Sequence, residues 1–433
     1  MGEKRFHSVQ LDKDKCKGCT NCLKHCPTEA IRVYDKRAHI IDERCIDCGE
    51  CIRICDYHAK VAQTDTLEDI KRFPHPVALP APTLYGQFRH LTDISVIYEA
   101  LLSLGFKEVA DVARGADVVT LAIRRALRDP QRPRPLISSA CPTITRIIQV
   151  RYPALIPNII NLRQPMEVAA QIARRDYASK HGVAPEDIGI FFITPCAAKM
   201  TSIRSPIGHA KSAVDGAISI LEIYGHIAPL VGKIKPAGKV PEFSPFGMGW
   251  AGSGGELDAA APRNSIAVDG IDNVIRVLEE MDNNTITGFD YFEGSACLGG
   301  CVGGPLNFEN NYLARNTIQT IQDAMPKTQP EQLVRSAELA RDSLYFDQEI
   351  PPNDSMKLHE SIAGAIERME EMNRIIEELP GYDCGSCGSP TCRSFAEDIV
   401  RGNSSEHDCI YILKDTLKVM AQKMVDISKT KRE

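Results

Sequence analysis

The sequence predicts an α/β protein: a central domain of parallel sheets flanked by helices, with a small cysteine-rich module at each end. Three observations carry this expectation. Residues 85–350 alternate short apolar runs with amphipathic helical stretches, the pattern of strands joined by crossover helices. Two of the apolar runs, PLISS (135–139) and GIFFIT (189–194), are rich in branched and aromatic residues and read as buried strands. Each leads directly into a cysteine, Ala140-Cys141-Pro142 and Pro195-Cys196, so ligand-bearing residues fall at strand carboxyl ends, where open α/β sheets bind their ligands. Twelve of the other cysteines gather into short repeats near the two ends.

The chain has 433 residues, 43% hydrophobic and 25% charged, with a formal net charge of −6. That length allows two to four domains and at least one sizeable core. Lys and Arg are scattered rather than gathered into a stripe, which argues against a nucleic-acid partner. The opening MGEKRFHSVQLDKDKC has no apolar signal region, and no run approaches the roughly 18 apolar residues of a membrane span. A cytoplasmic location is the expectation. Sixteen cysteines first invite a disulfide framework, but a chain this long needs no staples and a cytosolic one keeps its thiols reduced.

In chain order, residues 1–62 are a cysteine-rich tandem repeat. Residues 63–84 contain PHPVALPAP, whose prolines predict a semi-rigid linker rather than a helix or central strand. Residues 85–350 are the α/β domain, in which NSIAVDG (264–270) is a further strand leading into the helix IDNVIRVLEEM. Residues 356–433 read as helix, cysteine-rich loop region, helix. There Leu413, Leu417, Met420, Met424 and Ile427 are spaced 4-3-4-3, a seam that either faces a core or pairs with a second helix, as in a dimer through residues 413–427.

Cys16, Cys19, Cys22 and Cys26-Pro27 give C-x2-C-x2-C-x3-C-P, and Cys45, Cys48, Cys51 and Cys55 repeat the spacing with Asp56 in place of proline. Thiolates at this spacing suit an iron–sulfur cube, with zinc as the rival. Residues 1–62 resemble a bacterial two-cluster ferredoxin. The resemblance implies two 4Fe–4S clusters, one on Cys16, Cys19, Cys22 and Cys55, the other on Cys45, Cys48, Cys51 and Cys26. Cys384, Cys387, Cys392 and Cys409 give C-x2-C-x4-C-x16-C, with Gly385, Gly388 and Ser389-Pro390 supplying tight turns. This stretch is similar to single 4Fe–4S modules of electron-transfer subunits and hydrogen sensors, a structural zinc site being the alternative.

Four cysteines remain. Cys141 lies in SSACPTITRIIQVRYPALIPNI, Cys196 in FFITPCAAKM, and Cys297 and Cys301 in FEGSACLGGCVGGP. Singly each is as compatible with a buried thiol. In this order and at these separations the three segments resemble the three signatures of the iron-only (FeFe) hydrogenases, over about residues 85–310. The resemblance implies that Cys141, Cys196, Cys297 and Cys301 hold the cubane of an H-cluster. Cys301 would also bridge to a diiron subsite with CO, cyanide and a bridging dithiolate bearing a pendant amine. Lys199 matches the lysine that holds a cyanide ligand, the alternative being a solvated surface charge. Glu293 occupies the acid position of the third signature, or else is an exposed or capping carboxylate. Gly299, Gly300, Gly303 and Gly304 let the backbone approach the inorganic unit.

The chain departs from that pattern around the exchangeable iron. Ala140 stands where catalytic members carry a proton-relaying cysteine, and a methyl group neither gives nor takes a proton. Only Asp117 offers a carboxylate in ADVVTLAIRRAL (116–127). Thr143-Ile144 replace an aromatic residue, Thr194 and Ser295 stand where methionines are usual, and Pro305 stands in place of a glycine. These departures resemble the sensory branch of the family. They imply a hydrogen-responsive, low-turnover protein that exchanges protons and electrons with hydrogen and reports to a kinase or phosphatase. Two alternatives remain. One is a catalytic hydrogenase or subunit with another proton path, served by ferredoxin or a flavin subunit. The other is an electron-transfer or assembly scaffold without the diiron unit.

Overall fold

The computed structural model describes residues 5–238 and 241–430. They form two compact units, and these do not follow chain order. The first comprises residues 5–10, Ile46–Gly49 and Ala62–Asn353; the second comprises Leu11–Cys45, Glu50–Val61 and the residues from Asp354 onward.

The first unit contains two parallel sheets. One has the strand order Glu108–Val109, His75–Pro80, Ile188–Thr194, Gly216–Ser219; the other runs Ser265–Asp269, Tyr291–Ser295, Leu136–Ile137. All pairings within both sheets are parallel. The predicted strands are therefore present, and every residue of Ile188–Thr194 is buried, as a strand covered by helices on both faces must be. Helix Pro165–His181 packs on the four-stranded sheet, and Val112–Leu127 packs on that helix.

One expectation is corrected. The proline-rich stretch assigned to the linker 63–84 supplies the strand His75–Pro80, which pairs on both sides, with Glu108–Val109 and with Ile188–Thr194. The reason lies in strand parity. The carbonyls of Pro76 and Ala78 accept from Lys107 and Ala110 N–H on the Glu108–Val109 side. Pro76, Ala78 and Pro80 share that parity, so the missing proline N–H groups face a two-residue edge strand. Ala81, of the other parity, donates to Ile193 O. Proline is tolerated where no ladder donor is called for.

The second unit joins the amino-terminal repeat to residues from 354 onward. Ile31–Tyr34 and Arg37–Ile40 form an antiparallel pair; helices Ile362–Glu378, Cys392–Val400 and Ile410–Thr430 complete the unit. Arg32 grips Asp398 bidentately, Nε to Oδ2 at 2.5 Å and Nη2 to Oδ1 at 3.0 Å, and both side chains are buried. Arg44 makes a second buried pair with Glu397. Val33 N–H donates to Gly388 O at 2.9 Å. Gly388 has φ +89°, and a Cβ there would lie 2.0 Å from Val33 O, so only glycine allows this approach. Met372, Ile375, Leu379, Phe395, Ala396 and Cys409 form a small apolar core. The predicted seam on Ile410–Thr430 does not face a core: Leu417, Met420, Met424 and Ile427 are 55–72% exposed. Among the described residues no helix is long and apolar enough to cross a membrane.

Candidate functional site

Within the first unit, the carboxyl ends of three strands converge on one cavity. Ile188–Thr194 delivers Cys196, Tyr291–Ser295 delivers Cys297, and Leu136–Ile137 delivers Cys141. Cys141 and Cys196 are the N-cap residues of helices Pro142–Arg151 and Ala197–Arg204, where unpaired backbone N–H groups favour negative charge. The cavity, about 110 Å³, is lined by Cys141, Cys196, Cys297 and Cys301 together with Ala140, Lys199, Glu256, Glu293, Ser295 and Cys48. None of the sixteen cysteines is in a disulfide. Burial pushes the Cys301 thiol up to about 12 and raises Cys196 further still, each with added repulsion from the neighbouring thiols. Buried thiols so crowded favour a metal over protons only when iron supplies the positive charge.

Lys199 is not a solvated surface charge. Its ammonium donates to Ala140 O at 2.9 Å and Gln164 Oε1 at 2.7 Å. Two of its three N–H groups are used, leaving one for an anionic ligand in the cavity. Glu293 is 4% exposed and accepts from Gly254 N–H at 2.8 Å and Leu257 N–H at 2.9 Å, so it both caps Gly255–Ala260 and faces the cavity. Glu256, which the sequence reading missed, stands beside it. Tyr291 OH donates to Glu256 Oε1 at 2.5 Å and Ser138 Oγ to its Oε2 at 2.7 Å, and Ser138 Oγ also accepts from Ala140 N–H at 3.1 Å. Burial raises both carboxyls well above the usual range, and the charge of Glu256 raises Glu293 further. No local motif marks Glu256; it is an acid in SGGELDAA made functional by packing against a distant strand.

The other predicted positions sort clearly. Gly300 and Gly304 are on the cavity wall; Gly299 and Gly303 are not. Gly300 has φ +88°, and a Cβ on it would lie 2.4 Å from Ser253 N. Thr194 is off the wall, its hydroxyl bridging Cys196 N–H at 3.2 Å and Cys196 O at 2.9 Å. Asp117, raised to about 6 by burial, accepts from Ser244 N–H and Oγ and does not line the cavity.

In the second unit, the Cys22 thiol is raised to about 11 by burial, and it feels the charges of Cys19, Cys16 and Cys55, the ligand set that crosses the two repeats. Cys26 and Cys51 border the same small core as Cys22 and Cys16, and Cys45 caps the turn Asp42–Arg44. Cys384, Cys387, Cys392 and Cys409 line a single hollow with Asp383 and Phe395. Four thiols around a hollow, with no disulfide, fit a 4Fe–4S cube.

Comparison with known proteins agrees with this geometry. Residues 75–235 match the family "Iron only hydrogenase large subunit, C-terminal domain". Residues 8–56 match a 4Fe-4S dicluster domain and residues 379–411 an Fe-S cluster family. Iron hydrogenase 1 of Clostridium pasteurianum is 24% identical over 406 residues, covering 76% of this chain and 70% of that protein. The periplasmic Fe hydrogenase large subunit of Nitratidesulfovibrio vulgaris is 27% identical over 45% of this chain, which spans 51% of its length. A solved FeFe hydrogenase, HydA(deltaEFG), superposes with a TM-score of 0.52 at 17% identity, over 66% of this chain and 98% of that one. Three signatures converging on one cysteine-lined cavity, a hydrogenase-like fold around them, and segments matching cluster modules before and after make this an iron–sulfur protein similar to the FeFe hydrogenases.

Proposed function

We propose that the chain is a hydrogen-responsive, low-turnover hydrogenase-like protein. The observation that carries this is the cavity, where the four cysteines and Lys199 are in place while the relay position holds the methyl group of Ala140. Cys141, Cys196, Cys297 and Cys301 would hold the cubane of an H-cluster, and Lys199 would orient an anionic ligand of the diiron part. That group, when bound, supplies heterolytic splitting of hydrogen. The protein's own task is then to move protons and electrons. With no thiol at 140, the wall still carries the carboxyls of Glu293 and Glu256, whose proton affinities burial raises toward neutral pH. Cys48 lies on the same wall, which supports electron exit by way of the amino-terminal clusters.

A state change on binding hydrogen, rather than flux, suffices for sensing. The exposed seam of Ile410–Thr430 supports delivery of that change to a second copy or to a signalling protein such as a kinase or phosphatase. The Glu256–Glu293 pair favours a second reading, a hydrogen-metabolising enzyme or subunit with its own proton path and a ferredoxin or flavin partner. Infrared spectroscopy of the anaerobically matured protein, under argon and then hydrogen, tests the proposal. Bands of metal-bound CO and cyanide that shift under hydrogen are expected. Their absence after full maturation would leave only an electron-transfer or assembly scaffold. A turnover matching relay-equipped hydrogenases would favour the enzyme reading.

A further inference from the structure

The two cysteine repeats of the second unit share a local frame. After the last cysteine of each, the chain reads Cys26-Pro27-Thr28-Glu29-Ala30-Ile31 and Cys55-Asp56-Tyr57-His58-Ala59-Lys60. Ala30 N–H donates to Cys26 Sγ at 3.3 Å, and Ala59 N–H donates to Cys55 Sγ at 3.3 Å. Each next residue opens a strand, Ile31–Tyr34 and Lys60–Ala62, and both Ile31 and Lys60 are 2% exposed.

At this point the equivalence breaks. Ile31 is part of the small apolar core that Cys51 borders. Lys60 instead carries an amine into the interior. Its Nζ is fully buried and has no hydrogen-bond partner among the protein atoms, although a lysine near a surface normally extends its amine to water. The charge of Lys60 acts on the Cys22 thiol, and Cys22 is the counterpart in the first repeat of Cys51 in the second. An ammonium buried without a partner is costly. Four thiolates on an iron–sulfur cube carry net negative charge, which is the missing partner.

We propose that Lys60 tunes the 4Fe–4S cluster held by Cys16, Cys19, Cys22 and Cys55, raising its reduction potential above the value it would have with an uncharged residue at this position, as Ile31 is in the other repeat. The inference rests on the cluster assignment above. Reduction adds one electron and one negative charge, and a nearby fixed cation in a poorly screened interior stabilises the reduced state. The Ile31 site supplies no such charge.

The test is an anaerobic redox titration of the full chain, reconstituted with iron and sulfide and followed by electron paramagnetic resonance. The relevant signal is the one that changes in Cys19→Ser. In Lys60→Ile and Lys60→Met its reduction equilibrium should fall at least tenfold, about 59 mV for one electron, with the other signals unmoved. Lys60→Arg should retain the wild-type potential, and Ile31→Lys should raise the potential of the other amino-terminal cluster. An unchanged potential in both apolar variants, or a shift in a different cluster, would overturn the proposal. So would loss of iron from both apolar variants, since Lys60 would then hold the fold rather than tune the cluster. Wild-type protein lacking amino-terminal cluster signals would instead overturn the cluster assignment itself.

Discussion

At position 140 a methyl group lines the cavity where a proton would have to be handed on, and beside it a buried network runs from Ser138 to Glu256 and Tyr291. This gives paired expectations. Ala140→Cys places a titratable thiol on the wall and should raise hydrogen evolution from a reduced viologen, by roughly 10²-fold if general acid–base transfer limits the rate. Glu256→Gln removes a proton carrier while preserving shape, and should lower the same rate tenfold or more, on the order of 1.4 kcal/mol in the barrier. If Ala140→Cys does not raise the rate and Glu256→Gln does not lower it, protons travel by neither residue. The candidate ligand residues were legible because they sit in contiguous signatures: Cys141, Cys196, Cys297, Cys301 and Lys199 all reach the cavity. Glu256 was not, because its burial depends on Gly255–Ala260 lying against Tyr291, 35 residues further along. Glu293 was legible as an acid, but its choice between capping and facing the site needed the structure, which gives it both.

Among elements, helix Cys392–Val400 is fastened to the amino-terminal repeat through buried ion pairs rather than through a broad apolar face. Arg32 with Asp398, and Arg44 with Glu397, are both enclosed. Removing one partner of such a pair leaves a buried charge unmatched, at a cost of about 3–5 kcal/mol. Arg32→Ala should therefore loosen this helix while leaving the first unit intact. Faster hydrogen exchange in residues 392–400, with unchanged exchange in Ile188–Thr194, is the expected result; equal exchange in wild type and variant would show that the pair adds nothing. Sequence patterning revealed the cysteines here but read the stretch as loop, and it did not show the helix's partner, because Arg32 and Asp398 lie 366 residues apart. The strand His75–Pro80 failed for a related reason. Proline content argues for a linker until the neighbouring strand fixes which parity must donate, and that neighbour, Ile188–Thr194, lies over a hundred residues away.

Across the whole molecule, the two units owe their cohesion to different causes. Among the described residues the first holds extensive apolar cores, each able to stabilise packing by the removal of apolar surface from water. The cores of the second are small and partly made of cluster ligands: Cys22, Cys16, Cys26 and Cys51 in one, Cys409, Cys387 and Cys392 in the other. Metal binding should then be folding energy for the second unit and not for the first. Protein produced without iron should keep slow hydrogen exchange in Ile188–Thr194 and lose it in Ile31–Tyr34 and Cys392–Val400. Equal protection throughout, with and without iron, would show that the cysteines pack adequately as thiols. The second unit also has a consequence for biosynthesis. Residues 11–45 leave the ribosome long before Cys392–Val400, and every residue of Ala62–Asn353 is translated in between. The partners of Arg32 and Arg44 do not yet exist during that interval. The amino-terminal cysteines must therefore wait, exposed to oxidation and stray metals, or be shielded by a chaperone or early cluster delivery. A ribosome stalled before residue 392 would release a nascent chain that has its hydrogenase-like domain but an unfinished electron-transfer module.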